Sequence, residues 1–347
     1  KKIMKQLTAA DLTEVFSDIT PTPQQDSANP VCVISYTPDF TKAFGYLRAI
    51  IEKNELTQRA LDLTALCLGF NPANYTTWHF RRKCMSALKC SAQQIESELE
   101  FVRNMGGGNP KNYQIWYHRR SLLETQFECD GNDKSSDGLV KNELEYIQSV
   151  LEIDPKNYHA WSHRQWVVRS IDSSAMWEAE VSFTDALILT DVWNNSAWNH
   201  RWFAVHRGKC RGEDSTFTDS QSVEAEVQYV MDKIATDVYN DAAWRYLLGL
   251  VSEQMQHRSE SDGGDFAHKL LEEVEKEVSK MSISLQEYGI ESPDEKCVQL
   301  MAAHVDLLVW KGDVQVAAML CHDLGALYDT TRCKYWALRA RECEQSS

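Results

Sequence analysis

The chain has 347 residues, 43% of them hydrophobic and 25% charged, so it is long enough to bury a large core. Its formal net charge of −15 argues against nucleic acid as a partner, because phosphate binding needs an excess of Lys and Arg. No apolar run approaches the roughly 18 residues that span a bilayer, and residues 1–12 lack the apolar stretch of a signal peptide. We therefore expect a cytoplasmic protein without membrane insertion.

The N-terminal part of the chain has the composition of an irregular leader. Pro21, Pro23 and Asn29-Pro30 interrupt helices, and the stretch 31–36 is expected to be a short extended piece. From Phe40 onward the pattern is almost entirely helical, with little Pro and almost no period-2 alternation. We predict a leader over residues 1–39 and a single helical repeat domain over residues 40–347.

A tryptophan marks each of five repeats in this helical region, and an Asn lies four residues before it. The steps between successive tryptophans are 38, 45, 37 and 46 residues, a period typical of stacked supersecondary units. Polar inserts at 131–138 and 209–220 account for the two longer steps, and we predict no function for them. The repeat tryptophans are Trp78, Trp116, Trp161, Trp198 and Trp244.

Each repeat is expected to contain two helices, with the tryptophan on the first. Asn-Pro or Asp-Pro steps lie just upstream in the first three repeats and suit a helix start. The second helices carry amphipathic stripes such as Val140, Leu144, Ile147 and Leu151. The pattern predicts an all-α stack of helical hairpins with the tryptophans in the core.

Two further residue types recur with the tryptophans. An Arg follows three residues later in four repeats, and we expect it to bond backbone carbonyls or the Glu-x-Glu carboxylates of the second helices. A His follows two residues later in three repeats and is expected to pack. The residues are Arg81, Arg119, Arg164 and Arg201; His118, His163 and His200; and Glu98/Glu100, Glu143/Glu145, Glu178/Glu180 and Glu224/Glu226.

The turn before each tryptophan is where the repeats differ. Repeats two and three have Lys111 and Lys156 where repeat one has Ala73, and the first three repeats have a Tyr directly after the Asn. Lys and Tyr side chains gathered at helix N-termini can form an anion site. The alternative is solvated lysines and interface tyrosines. The tyrosines are Tyr75, Tyr113 and Tyr158, and the fourth and fifth repeats have Asn195 and Asp241 instead.

These repeats resemble a known family. The motifs are NYTTWHFRR at 74–82, KNYQIWYHRR at 111–120, KNYHAWSHRQW at 156–166 and NNSAWNHR at 194–201. From about Phe16 to the end, the chain resembles the α subunit of the protein prenyltransferases, and its leader resembles the subunit shared by farnesyltransferase and geranylgeranyltransferase type I. The resemblance implies a crescent-shaped, right-handed superhelix of antiparallel hairpins, which wraps around and stabilises an obligate β subunit.

The resemblance also implies a reaction and a site. The heterodimer transfers a prenyl group from a prenyl diphosphate to the Cys of a C-terminal CaaX motif. Lys111 matches the lysine that contacts the diphosphate, and Tyr113 matches a residue at the same end of the cleft. The implied substrate-binding residues are Tyr158 and His159 near the diphosphate, Asn157 near the site, Gln114 at the peptide carboxylate, and Tyr75 beside the peptide's last side chain.

The family resemblance places the metal chemistry outside this chain. Zinc is expected on the partner β subunit, while magnesium assists departure of the diphosphate in the farnesyl enzymes. The ten Cys residues here form no Cys-x-x-Cys pair, and we expect reduced thiols and no metal site.

Two other readings remain open at this level. Stacked hairpins with Asn/Asp-Pro turns also resemble tetratricopeptide scaffolds that bind peptide tails, although those keep a period of about 34 residues. A second alternative is the α subunit of the Rab-specific geranylgeranyltransferase, which lacks a leader like residues 29–36.

Overall fold

The computed structural model describes residues 7–26, 28–130, 137–209, 219–256, 263–287 and 296–345. Within these ranges the chain forms helices and no strand, which confirms the all-α prediction. The chain divides into two compact units, Lys1–Ser170 and Ile171–Ser347. The predicted inserts at 131–138 and 209–220 fall mainly outside the described residues.

The first unit contains the leader and the first three repeat tryptophans. Its helices beyond residue 38 are mostly joined by loops of a few residues, as expected for antiparallel hairpins. They are α1 (Leu12–Val15), α2 (Pro38–Glu52), α3 (Gln58–Phe70), α4 (Tyr75–Leu88), α5 (Ala92–Gly106), α6 (Tyr113–Asp130), α7 (Asp137–Ile153) and α8 (Tyr158–Ile171), whose last residue lies at the boundary.

The second unit contains the last two repeat tryptophans and the C-terminal helices. They are α9 (Ser174–Thr190), α10 (Asn195–Lys209), α11 (Ser220–Thr236), α12 (Asp241–Gln256), α13 (Gly263–Glu287), α14 (Val298–Lys311), α15 (Val314–Asp323) and α16 (Cys333–Gln345). A π-helical turn, Leu324–Tyr328, and a 3-10 turn, Thr330–Arg332, join α15 to α16.

The leader is partly packed against the helices that follow it. Leu12 and Phe16 are fully buried in an apolar cluster with residues of α2 and α3. Between this anchor and α2, residues 31–36 have no regular structure and are exposed. Helix α2 begins after Thr37, whose hydroxyl accepts a hydrogen bond from the Phe40 amide, as an N-cap should.

The helices pair into hairpins differently from the sequence-based prediction. Helix α4, which carries Trp78, packs closely against α3 before it, and the same holds for α6 with α5, α10 with α9 and α12 with α11. The tryptophan helix is therefore the second helix of its hairpin rather than the first. All five tryptophans are buried, which confirms their assignment to the core.

The repeated Arg and His residues bond the buried glutamates of the Glu-x-Glu pairs. Arg119 donates from Nε to Glu143 Oε1 at 2.8 Å, and His163 Nε2 lies 2.7 Å from the same oxygen. Arg119 reaches Glu143 from the preceding hairpin, whereas His163 belongs to the same hairpin. The glutamate therefore joins two neighbouring hairpins and satisfies buried charges on both.

The same arrangement recurs in both units. Arg81 and His118 bond Glu98, while Arg201 and the Tyr246 hydroxyl bond Glu226. The predicted role of the Arg series is thus confirmed for Arg81, Arg119 and Arg201. The buried member of each Glu-x-Glu lies 18 residues before the tryptophan of its hairpin, a spacing that the sequence analysis did not use. These glutamates are Glu98, Glu143, Glu180 and Glu226.

Candidate functional site

Two side chains at the start of each tryptophan helix hold the preceding turn in place: the Asn that caps the helix and the tryptophan itself. Asn112 Oδ1 accepts a hydrogen bond from the Gln114 amide at 2.9 Å, as a helix cap. Trp116 Nε1 donates to the Pro110 carbonyl six residues earlier, at 2.7 Å. All five repeat tryptophans make this ring-to-carbonyl bond. The turn before every tryptophan is therefore fixed to its helix.

The same carbonyls also join successive turns. The Pro72 carbonyl accepts a second hydrogen bond, from Asn112 Nδ2 at 2.7 Å. Asn157 likewise donates to Pro110 at 3.4 Å, and Asn240 donates to Val192 at 2.6 Å. Each bond crosses from one repeat to the next, so the N-terminal ends of neighbouring tryptophan helices are held side by side.

These fixed turns present exposed functional side chains in the first unit. Tyr75, Tyr113 and Tyr158 are 71%, 65% and 53% exposed, although tyrosines usually bury much of their ring. The Lys111 side chain is 69% exposed. The predicted site thus lies at the N-terminal ends of α4, α6 and α8, where free amide groups and the helix dipole favour an anion.

A compact polar and aromatic cluster forms between α6 and α8. The Tyr158 hydroxyl donates a hydrogen bond to the Tyr113 hydroxyl. The His159 ring packs edge-on against Tyr113, with 4.2 Å between ring centroids, and lies 3.9 Å from the Tyr158 ring. The structure therefore brings together three of the predicted site residues.

The charge of this cluster comes from one lysine. The hydrogen bond to Tyr113 raises the pKa of Tyr158 to about 12, so its hydroxyl stays protonated near neutral pH. Burial lowers the pKa of His159 and outweighs the opposing hydrogen bond with the Lys111 backbone, so the imidazole is neutral there. Lys111 therefore supplies the positive charge next to these neutral tyrosine and histidine side chains.

Asp154 is a neighbour of Lys111 that the sequence analysis did not assign to the site. Lys111 Nζ lies 3.2 Å from Asp154 Oδ2, in the turn before α8. Asp154 had been interpreted only as a residue that favours a helix start. Its distance of seven residues from Trp161 could have identified it, because each repeat has Asn or Asp at that position.

The other predicted residues occupy different environments. Asn157 is 1% exposed, and its side chain is fully engaged as the cap of α8 and in the bond to Pro110. Gln114 is half-buried in the first turn of α6, next to Tyr113. Tyr75 lies one repeat away from the Tyr113–Tyr158–His159 cluster, and its ring is open to solvent. The Asn157 side chain therefore holds the backbone of the turn before α8.

Across the described ranges, no group of three or more His, Cys, Asp or Glu side chains could hold a metal ion. No helix in those ranges is long and apolar enough to cross a membrane. The described part of the site offers the Lys111 ammonium with the Asp154 carboxylate beside it, several hydroxyl and amide donors, and aromatic rings. Such a set can bind a phosphorylated ligand with an apolar group attached.

Comparison with known proteins identifies the repeats. The protein prenyltransferase alpha subunit repeat matches residues 57–88, 95–126, 140–171 and 177–208. Each matched range ends with a tryptophan helix, in agreement with the hairpins of the structure. This match favours the prenyltransferase reading over the tetratricopeptide alternative.

The similarity extends along nearly the whole chain. The protein farnesyltransferase/geranylgeranyltransferase type-1 subunit alpha of Pisum sativum is 34% identical over 335 residues, which cover 96% of this chain and 94% of the relative. The subunit of the same name from Solanum lycopersicum is 41% identical over 92 residues, 26% of each chain. These names favour the type-1 reading over the Rab-specific alternative.

A solved structure supports the same assignment. A chain of Candida albicans protein geranylgeranyltransferase-I complexed with GGPP matches with a TM-score of 0.76 and 27% identity, covering 94% of this chain and 98% of that one. Fold, repeats and full-length similarity therefore agree. The chain belongs to the protein prenyltransferase alpha subunit family.

Proposed function

We propose that this chain is the α subunit of a heterodimeric protein farnesyltransferase/geranylgeranyltransferase type-1. With a β subunit it transfers a prenyl group from a prenyl diphosphate to the thiol of a C-terminal CaaX cysteine. The observation that carries the proposal is the cluster of Lys111, Tyr113, Tyr158 and His159 at adjacent helix N-termini. It occurs in a chain that is similar over 96% of its length to a named α subunit.

Lys111 acts on the leaving group. As the bond between the prenyl carbon and the diphosphate oxygen breaks, negative charge grows on the diphosphate, and a fixed ammonium stabilises this charge more in the transition state than in the ground state. Tyr113 and Tyr158 share one hydrogen bond between their hydroxyls and are exposed, so a phosphate oxygen can accept from this pair. Neutral His159 supports both rings from behind.

The remaining predicted residues have separate roles. Gln114, with an amide that can both donate and accept, binds the peptide C-terminal carboxylate. Tyr75 contacts the peptide's last side chain through its exposed ring. Asn157 holds the turn that carries Tyr158 and His159, so we assign it a positioning role instead of a direct contact.

Zinc belongs to the β subunit in this proposal. We assign this chain substrate binding and charge stabilisation, and magnesium would assist departure of the diphosphate in the complete enzyme. When bound in the complete enzyme, zinc would activate the acceptor thiol as a thiolate. A cytoplasmic location remains a prediction, supported by free cysteines such as Cys67, Cys84 and Cys321.

The test compares Lys111→Ala with Lys156→Ala in the heterodimer. Lys156 occupies the matching turn position in repeat three and has no assigned role, so it controls for loss of surface charge. We expect Lys111→Ala to lower the single-turnover rate by about 100-fold, with a smaller effect on peptide binding, and Lys156→Ala to stay close to the parent. Equal rates for the parent and Lys111→Ala would refute the role of Lys111.

A further inference from the structure

The residue seven positions before each repeat tryptophan shapes the turn in the same way in all five repeats. Its Oδ1 accepts a hydrogen bond from the amide two residues later, an Asx turn. For Asp154 the donor is the Lys156 amide, at 3.3 Å. The complete set is Asn71, Asn109, Asp154, Asp191 and Asp237. One side-chain oxygen at this position is therefore structural.

The second oxygen reaches the preceding repeat in two places. Asp237 Oδ2 accepts from Trp193 Nε1 at 2.9 Å, and Asp154 Oδ2 lies 3.2 Å from Lys111 Nζ. Trp193 and Lys111 occupy the same position, five residues before their tryptophans. The same contact between repeats thus holds an indole in one unit and the site lysine in the other.

We propose that Asp154 is a positioning residue for Lys111, an inference that rests on the proposed function of that lysine. An exposed lysine on a four-carbon stem loses much rotamer freedom when its ammonium is fixed in one place. The Asp154 side chain is itself fixed by its Asx turn, so its carboxylate can restrict the Lys111 side chain before the substrate binds. An ammonium has three donors, so one N–H bonds Asp154 and two remain for phosphate oxygens.

The Asp154→Asn variant tests the negative charge of the carboxylate separately from the turn that the side chain forms. Asn71 and Asn109 make the same turn bond in repeats one and two, so Asp154→Asn keeps a side chain that the fold already uses there. What it loses is the anionic oxygen facing Lys111. Asp154→Ser is a second neutral variant, because a serine hydroxyl can form a similar local turn.

Asp237→Asn is the matched control. It also replaces an aspartate by asparagine in an Asx turn and also removes an acceptor between repeats, from Trp193. In this turn the neighbouring residue is Trp193, so Asp237→Asn removes the acceptor without affecting Lys111. A general effect of loosening adjacent repeats would therefore appear in both variants, whereas a positioning effect would appear only at Asp154.

The experiment measures single-turnover rates and prenyl diphosphate affinity for heterodimers with Asp154→Asn, Asp154→Ser, Asp237→Asn, Lys111→Ala and Lys111→Ala/Asp154→Asn. We expect both Asp154 variants to slow the single-turnover step by about five- to tenfold, with peptide KM unchanged. Asp237→Asn should match the parent. In the Lys111→Ala background, Asp154→Asn should cause no further loss, because the lysine it positions is absent.

Two results would overturn the inference. A parent-like or faster rate with tighter prenyl diphosphate binding in Asp154→Asn would mean that the carboxylate competes with the substrate for the lysine. An equal loss with and without Lys111 would mean that Asp154 acts through the general structure. These two results can be distinguished from a failure of the proposed function, because that failure would give a parent-like rate in Lys111→Ala itself.

Discussion

The turns of repeats two and three and those of repeats four and five use one scaffold for different purposes. Both have the Asx turn, the tryptophan-to-carbonyl bond and the Asn bond between repeats. The first pair presents Lys111 with Tyr113 and Tyr158, and the second presents Trp193 with Asn195 and Asp241. The two pairs of turns thus differ at a few exposed positions, to which we assign substrate binding, and share the hydrogen bonds beneath them.

The buried glutamates should be equally important in both units. Replacing Glu143 or Glu226 by Ala leaves a buried Arg without its carboxylate, which costs about 3–5 kcal/mol in the free energy of unfolding. Urea denaturation of the heterodimer measures this loss. Glu145→Ala, at the exposed member of the same Glu-x-Glu, is the control and should change stability by less than about 0.5 kcal/mol. A harmless Glu226→Ala would break the structural equivalence of the two regions.

Acid should destabilise the first unit through its two buried glutamates, Glu98 and Glu143. Burial alone would raise the pKa of Glu143, but the Arg119 charge and the His163 hydrogen bond outweigh it and lower the pKa to about 2. Hydrogen bonds from His118 and Arg81 lower the pKa of Glu98 to about 2 in the same way, against burial.

Because these folded-state pKa values are depressed, the stabilisation is present above pH 4.5, the ordinary value for Glu, and is lost as the pH falls towards 2. We expect a loss of about 2 kcal/mol per carboxylate across this window. Urea midpoints measured from pH 6 to pH 2.5 test it. Glu143→Gln should flatten the profile, and an unchanged slope in that variant would contradict the assignment.

The tyrosine pair should matter to activity less than Lys111 does. Tyr113→Phe or Tyr158→Phe removes one hydroxyl and should lower the single-turnover rate by about three- to tenfold, the value of a hydrogen bond of about 1 kcal/mol. Tyr239→Phe removes a hydroxyl from a partly exposed tyrosine in the turn of repeat five and is the control, with an unchanged rate expected. A similar loss in Tyr239→Phe would show that the tyrosines affect the scaffold rather than the diphosphate.

Trp193→Lys should have the smallest effect. It places a lysine next to Asp237 in the way that Lys111 lies next to Asp154. Helices α10 and α12, however, begin with Asn195 and Asp241 instead of tyrosines. We expect turnover and the number of prenyl diphosphate molecules bound per heterodimer to stay unchanged, as measured by calorimetry. A second bound diphosphate would show that the Lys–Asp pair alone makes a site.

The regular part of the fold could be predicted from the sequence because stacked repeats depend mainly on nearest-neighbour contacts. Trp116 is buried, and Arg119 bonds a glutamate, as its position predicted. Which helix completes each hairpin was predicted wrongly, because every tryptophan helix has a helix before it and a helix after it along the chain, and the period is the same for either pairing. Only packing distinguishes the two.

The site was predicted less completely. Lys111, Tyr113, Tyr158 and His159 were identified by resemblance to the family. The structure brings the last three into contact and places Lys111 in the turn before Tyr113, and their contacts with substrate stay predictions. Asn157 stays a predicted site residue, and what the structure adds is that its polar atoms are engaged in the cap of α8 and in the bond to Pro110. A motif records which residue is present and does not show which way its side chain points.

By itself, the sequence determined the repeat, the buried tryptophans and the helical class, because each follows from spacing within one helix or between neighbouring helices. The tertiary structure decided the hairpin pairing, the choice between the two glutamates of each Glu-x-Glu, and the contact of Asp154 with Lys111. Residues 111 and 154 come from different repeats, and their contact depends on how adjacent turns are aligned by hydrogen bonds such as that from Asn157 to Pro110.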